Sequence, residues 1–538
     1  MARYRNREGR PETAFETYRR KRRLRWLTAG LAGSSIFLFG AMAATYSGSA
    51  SASVSANPSG LLGLLPGLSP VLTPVLSTLT SMTYTPQSSL TGPVPRATCG
   101  AGSSPETGLQ GQVPLADRDS GRSQQGYSCN LQLVGRYQGE GASWVDPFYG
   151  KCGYMATTLT GLAKRSPGVQ VVDISDPANL RLATRLTSPS MLLGPWESLK
   201  TNQQRGLLGG VAAGAFTAGA FFEVYDVNAN CAQPVLQNQI NGVSIPANVL
   251  GHEGAFAPDG RTYWASGVAL GSLTAIDVAN PKLPRIVFTG STGPVNHGFS
   301  LSADGNRLYL ATIKPAGVTI FDVSDVQQRK AVPSIRQVGS VSWSSNGAAQ
   351  MTIPVTWNGK PYLIATDEFD SVRIIDISDE TKPVVVNYLQ LEIQLKSNEA
   401  AARADTAGTG FFSGYTSHYC TVDRHKDPTA LACGFFNSGV RVFNVQDPKN
   451  VREVAYYNPP AQTGKNALLQ GSEHANGVVG AVAYTSKLTA DWCTSMPRFV
   501  GKDQLWVTCQ DNGVQVLQFT NNAYAKPDGT GDQQSIDD

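Results

Sequence analysis

Hydrophobic and polar positions along this chain repeat one pattern seven times. Each copy opens on a turn residue, usually Gly. It runs through alternating β-branched and polar residues and closes on Asp or a polar equivalent. The first copies are Gly168-Val-Gln-Val-Val-Asp173-Ile-Ser-Asp176-Pro177, Phe222-Glu-Val-Tyr-Asp226-Val and Leu273-Thr-Ala-Ile-Asp277-Val. Gly317-Val-Thr-Ile-Phe-Asp322-Val and Ser371-Val-Arg-Ile-Ile-Asp376-Ile-Ser-Asp379 follow, then Gly439-Val-Arg-Val-Phe-Asn444-Val and Gly513-Val-Gln-Val-Leu-Gln518-Phe. Such a run predicts a half-buried strand entering a turn. The Asp residues read as turn formers rather than calcium ligands.

A second strand lies upstream of several copies, after a hairpin signal: Ala257-Pro-Asp-Gly260, Ser302-Ala-Asp-Gly305 and Trp357-Asn-Gly359. Asp-Gly and Asn-Gly suit the positive φ angles of tight hairpins. With a strand before each hairpin and one after each phrase, every repeat holds four strands. The Asp-equivalent positions are 53, 51, 45, 54, 68 and 74 residues apart. β-rich repeats of that length predict an all-β, seven-bladed propeller over residues 129–520. The two longest spacings predict insertions. Residues 391–410 hold a short helical stretch, Asn398-Glu-Ala-Ala-Ala-Arg-Ala, and residues 486–502 show no periodicity. The seventh repeat ends near Phe519, one strand short, and Leu131–Gln138 upstream reads as a spare outer strand that would close the ring. An eight-bladed or open arrangement is the alternative.

Val171-Val-Asp-Ile-Ser-Asp-Pro177 and Ile374-Ile-Asp-Ile-Ser-Asp379 make the repeats, from Gly168 to Phe519, similar to the LVIVD-repeat family of bacterial propellers. The resemblance implies a propeller and an extracytoplasmic setting, and it brings no catalytic residues with it.

The ends read differently. Residues 1–25 carry nine Arg and one Lys against three Glu, and an apolar stretch follows from Trp26 to about Tyr46. Residues 1–52 therefore read as a signal peptide, with Ala50-Ser51-Ala52 as a cleavage site, or as an uncleaved anchor. The expected location is extracytoplasmic: secreted, periplasmic or anchored, with membrane contact only through this segment. The formal net charge of +4 belongs to the leader. The rest is slightly acidic, so nothing points to nucleic acid. Residues 53–128, rich in Ser, Pro and Leu at their start, read as a linker, and residues 521–538 as a disordered tail. Eight Cys in an exported chain favour disulfides. Cys420 with Cys433 and Cys493 with Cys509 are the first pairings. Cys99, Cys129, Cys152 and Cys231 can pair in three ways.

Four of the five histidines occupy one place in their repeats. His252 and His297 each lie seven residues before the hairpin Asp and 25 before the closing Asp. His418 lies 26 before Asn444, and His474 begins the seventh repeat. That place is the start of the innermost strand, so His252, His297, His418 and His474 are expected to converge on the channel axis. Converging imidazoles suit Fe, Cu or Zn. Asp146 and Glu197, at comparable places in other repeats, are candidates to orient them. Glu253 and Glu473 adjoin His residues but should point away by strand alternation. The alternative is a wet polar channel without metal. Carotenoid cleavage oxygenases, which hold iron on four His, and selenium-binding proteins are similar in architecture alone.

There is no nucleophile elbow, P-loop, dinucleotide fingerprint or His-Glu-x-x-His motif, so no nucleotide cofactor is expected. Two functions remain: a metalloprotein, with an oxidoreductase or oxygenase as the first expectation for an enzyme and its catalytic residues unknown, or a non-catalytic scaffold for a protein or cell-surface partner.

Overall fold

Each repeated phrase becomes the third strand of an antiparallel sheet of four or five strands, in a computed structural model that describes residues 92–524. Residues 158–167, 213–219, 239–242, 246–250, 268–270, 294, 345–346, 406–413, 466 and 477–488 within that span are not described. The reason for the recurring strand is local. Six phrases end in the same turn, in which the side-chain oxygen of Asp173, Asp226, Asp277, Asp322, Asp376 or Asn444 accepts the backbone N–H two residues on, at 2.8–3.1 Å. The fourth strand often returns an Arg to the same Asp, as Arg181 does to Asp173 and Arg336 to Asp322.

The sheets follow one another as seven blades. Blade one runs Phe148–Tyr149, Cys152–Met155, Val169–Asp173 and Arg181–Leu186; blade three runs Gly251–Phe256, Thr262–Gly267, Ser272–Asp277 and Arg285–Ser291. The inner strands of blades two, four, five, six and seven are Lys200–Asn202, Asn296–Leu301, Ala349–Trp357, Ser417–Val422 and Arg498–Val500. Leu131–Tyr137 pairs antiparallel with Gly513–Phe519 as the outer strand of blade seven.

An apolar cluster fills each contact between neighbouring blades, because alternate residues of each strand face the next sheet. Trp264 and Phe299 belong to the cluster of blades three and four. Phe148 and Met155 meet Trp506 and Val516 where blade seven returns to blade one.

Two expectations about the ends need correction. Residues 92–128 are not a linker. Val94 joins the core between blades five and six, Leu115–Ser120 is a helix, and Tyr127–Cys129 adds a fifth strand to blade six. Buried polar contacts hold this segment: the Arg441 guanidinium pairs with Glu106 and, at 2.7 Å, with Glu453. The tail also starts later than expected, since Tyr524 packs on Phe499 and Phe519. Residues 1–91 and 525–538 lie outside the described residues, as does most of the leader and linker reading. The insertion in blade five forms the helix Glu399–Asp405.

All eight cysteines are paired. Cys420–Cys433 links adjacent strands of blade six and Cys493–Cys509 lies in blade seven. Cys99–Cys129 and Cys152–Cys231 complete the set, with sequence separations of 30 and 79. Among the described residues no helix is long and apolar enough to cross a membrane.

Candidate metal centre

The inner strands of blades three, four, five and six share one irregularity. Their pairing with the second strand skips from Gly251 to Gly254, from Asn296 to Phe299, from Ala349 to Thr352 and from Ser417 to Cys420. Each skip is a bulge with one extra residue, which bends the strand and re-aims its side chains. The residues left out of register are His252-Glu253, His297-Gly298, Gln350-Met351 and His418-Tyr419. Equal distance from the hairpin puts them at equal height around the axis. Gly298 is required there: a Cβ would stand 2.2 Å from the Gln350 carbonyl oxygen and 3.0 Å from Glu253 Oε2.

Three of the four expected histidines come together with two carboxylates. His252 Nε2 lies 2.6 Å from Glu197 Oε2. His418 Nε2 lies 3.1 Å from Glu197 Oε1 and 3.0 Å from Glu368 Oε1. His297 Nε2 lies 3.8 Å from Glu368 Oε2, and the His252 and His297 rings are 4.7 Å apart. All five side chains are buried. Trp196 packs against His252 at 4.6 Å and Trp144 against His418 at 5.4 Å, which keeps bulk water off this side.

The backbone sets the imidazole tautomers. His297 Nδ1 is 2.8 Å from the Ala349 carbonyl oxygen, and His418 Nδ1 is 2.8 Å from that of Thr494. A carbonyl only accepts, so both Nδ1 atoms carry the proton, and in a neutral ring Nε2 keeps its lone pair. These lone pairs face carboxylate oxygens. The Nε2 atoms of His252 and His418 are buried and have no aligned hydrogen bond. Acceptors brought together this way need a proton or a cation among them.

The local field agrees. Burial opposes charge on His418, yet Glu197 and Glu368 hold its pKa up to about 10. Burial likewise opposes charge on His252, and Glu197 nevertheless raises it. Burial lowers His297, with Glu368 only partly offsetting it. Glu197 sits well below the carboxylate range: burial works against its charge, but His252 and His418 outweigh it. A second layer surrounds the cluster. Gln350 Nε2 donates to Glu197 Oε2 and to the Tyr419 hydroxyl, both at 3.0 Å. Tyr419 donates to Glu253, which pairs with Lys200 Nζ at 2.9 Å.

His474 does not join this cluster. It sits on a helical turn, Glu473–Asn476, because the inner strand of blade seven begins only at Arg498. Its Nδ1 lies 2.5 Å from Asp511 Oδ2 and its ring stacks on Trp492 at 4.7 Å. It belongs to a separate group with Asp491 and Asp511. Asp491 there is already filled by backbone N–H groups of Trp492, Asp511 and Asn512.

Three further expectations change. Glu197, expected only to orient the histidines, turns its own oxygens to the Nε2 atoms of His252 and His418. Asp146 is apart from the cluster, accepting the Ala156 N–H at 2.8 Å, and burial pushes its pKa well above the usual value. Glu253 stays near despite strand alternation, because the bulge breaks it. Glu368, in the turn after the second strand of blade five, was not anticipated. The run Asp367-Glu368-Phe369-Asp370, three carboxylates in one turn between apolar strands, was the available signal.

The LVIVD repeat model matches residues 163–188. No curated protein matches the chain in sequence. Among solved structures, a periplasmic gluconolactonase of Pseudomonas aeruginosa is 13% identical, with a TM-score of 0.47, covering 70% of this chain and 94% of its own. A 6-phosphogluconolactonase candidate of Bacteroides uniformis is 12% identical, with a TM-score of 0.46, covering 71% and 97%. A protein of Lactobacillus plantarum is 14% identical, with a TM-score of 0.41, covering 56% and 80%. The chain is a seven-bladed propeller that carries an LVIVD-type repeat.

Proposed function

We propose that this chain is an exported metalloprotein that holds a transition metal on His252, His297 and His418, with Glu197 and Glu368 completing the donor set, and works as an oxidoreductase. The observation that carries the reading is the tautomer geometry. Two carbonyls take the Nδ1 protons, and the freed Nε2 atoms face carboxylates inside a buried pocket. Imidazole with carboxylate suits Fe or Zn better than Cu(I), which prefers sulfur ligands.

A bound ion would supply electron transfer or Lewis-acid activation of a coordinated small molecule. The chain's own residues set the conditions. Ala349 and Thr494 orient the imidazoles. Gln350 holds Glu197 in place, and Trp144 and Trp196 exclude water. Tyr419 keeps its proton on the side of Glu253, away from the donor atoms. Four disulfides support an oxidising compartment, in line with the basic, apolar leader.

The test is calorimetric titration of chelator-stripped protein with Zn(II), beside His418→Ala. Saturable binding that weakens at least tenfold in the variant supports the reading. Equal weak binding by both proteins overturns it and leaves a scaffold whose channel is a polar plug.

A further inference from the structure

We infer that the centre is built for two metal ions bridged by Glu197 and Glu368. This deepens the metal reading and rests on it. Glu197 offers its two oxygens to different histidines, Oε2 to His252 at 2.6 Å and Oε1 to His418 at 3.1 Å. Glu368 does the same, with Oε1 at His418 and Oε2 toward His297. A carboxylate serving one ion turns both oxygens to it or one away. A carboxylate with one oxygen on each of two imidazoles is placed to bridge.

The donors also divide into two triads, each with ligand atoms within 4.8 Å of one another: Glu197, His252 and His297, and Glu197, Glu368 and His418. Glu197 belongs to both. His252 and His297 stand side by side and would share one ion, while His418, approached by both carboxylates, would take the other. Two-ion centres space their ions by about 3.5–4 Å, a gap that one carboxylate spans. Lys200 is already matched by Glu253 at 2.9 Å, which leaves both bridging carboxylates to the ions. The buried, unaligned Nε2 atoms of His252 and His418 face different oxygens of Glu197, one for each ion.

Cu(II) titration of the stripped full chain, followed by metal analysis and electron paramagnetic resonance, tests this. The expected result is two equivalents per chain, with signal intensity well below that of two isolated spins because the bridged ions couple. Glu197→Gln should drop occupancy to one equivalent or less, and His474→Ala should leave it at two. One equivalent, or two uncoupled ones, overturns the bridge and leaves the metal reading intact. No bound copper removes both.

Discussion

His418 Nδ1 and the carbonyl oxygen of Thr494 lie 2.8 Å apart, so a loop of blade seven orients the imidazole of blade six. His297 of blade four is held in the same way by Ala349 of blade five. Hydroxyls from the preceding blades fix the backbone of the same residues: Ser266 donates to the His297 carbonyl at 3.1 Å and Thr366 to that of His418 at 2.7 Å. His297 and His418 are thus each clamped between neighbouring blades. Such outer contacts typically govern metal affinity by 10- to 100-fold.

The aromatic wall gives an optical readout. Trp196 and Trp144 lie 4.6 and 5.4 Å from the His252 and His418 rings. Cu(II) should quench part of the tryptophan fluorescence. Trp196→Phe should shrink the quenched fraction, whereas Trp506→Phe, at the contact of blades seven and one, should not.

The outer strand of blade seven can be probed by two leucines. Leu131 is 2% exposed and packs into the cluster of blades six and seven, while Leu133 is 38% exposed. Leu131→Ala should cost about 2–5 kcal/mol, and Leu133→Ala about 0.5 kcal/mol or less. Urea unfolding measures both, and equal effects would argue against the pairing of Leu131–Tyr137 with Gly513–Phe519.

Disulfides should matter measurably. Cys420–Cys433 and Cys493–Cys509 close loops with sequence separations of 13 and 16. Each should contribute about 3 kcal/mol through the unfolded state. A Cys420→Ser, Cys433→Ser double variant should therefore unfold at lower urea, and a midpoint equal to wild type would contradict the pairing.

The repeated turns predict an acid limb. The hydroxyl and N–H of Ser324, against the opposing effect of burial and with help from Arg336, hold Asp322 at about 2. Asp173 is held at about 2 by Ser175 and Arg181. A depressed carboxylate stabilises the fold above its unfolded value, about 3.9, and that stability is lost as pH falls through the folded value. Unfolding free energy should decline between about pH 4 and pH 2, and Asp173→Asn with Asp322→Asn should flatten that slope.

The repeat was legible because its strand ends in a side-chain turn that only Asp or Asn makes well, as Asp173 and Asn444 do. The histidine register was legible for a related reason: the bulge falls at a fixed distance from the hairpin, so His252 and His297 share their offsets. His474 was misplaced because the insertion before Arg498 breaks that distance in blade seven. Glu368 was missed because its run of three carboxylates in one turn reads as a solvated turn until the fold brings His418 to it. The segment 92–128 read as a linker because it is held by a disulfide and by Arg441 with Glu106, neither of which leaves a hydrophobic period.

The most direct measurement is elemental analysis of the full chain purified from its native compartment, beside single His→Ala variants. The wild type should carry a transition metal. His252→Ala, His297→Ala and His418→Ala should each lose most of it while staying folded, and His474→Ala should retain it. Folded wild-type protein free of metal, or loss on His474→Ala with retention in the other three, would contradict the proposed centre.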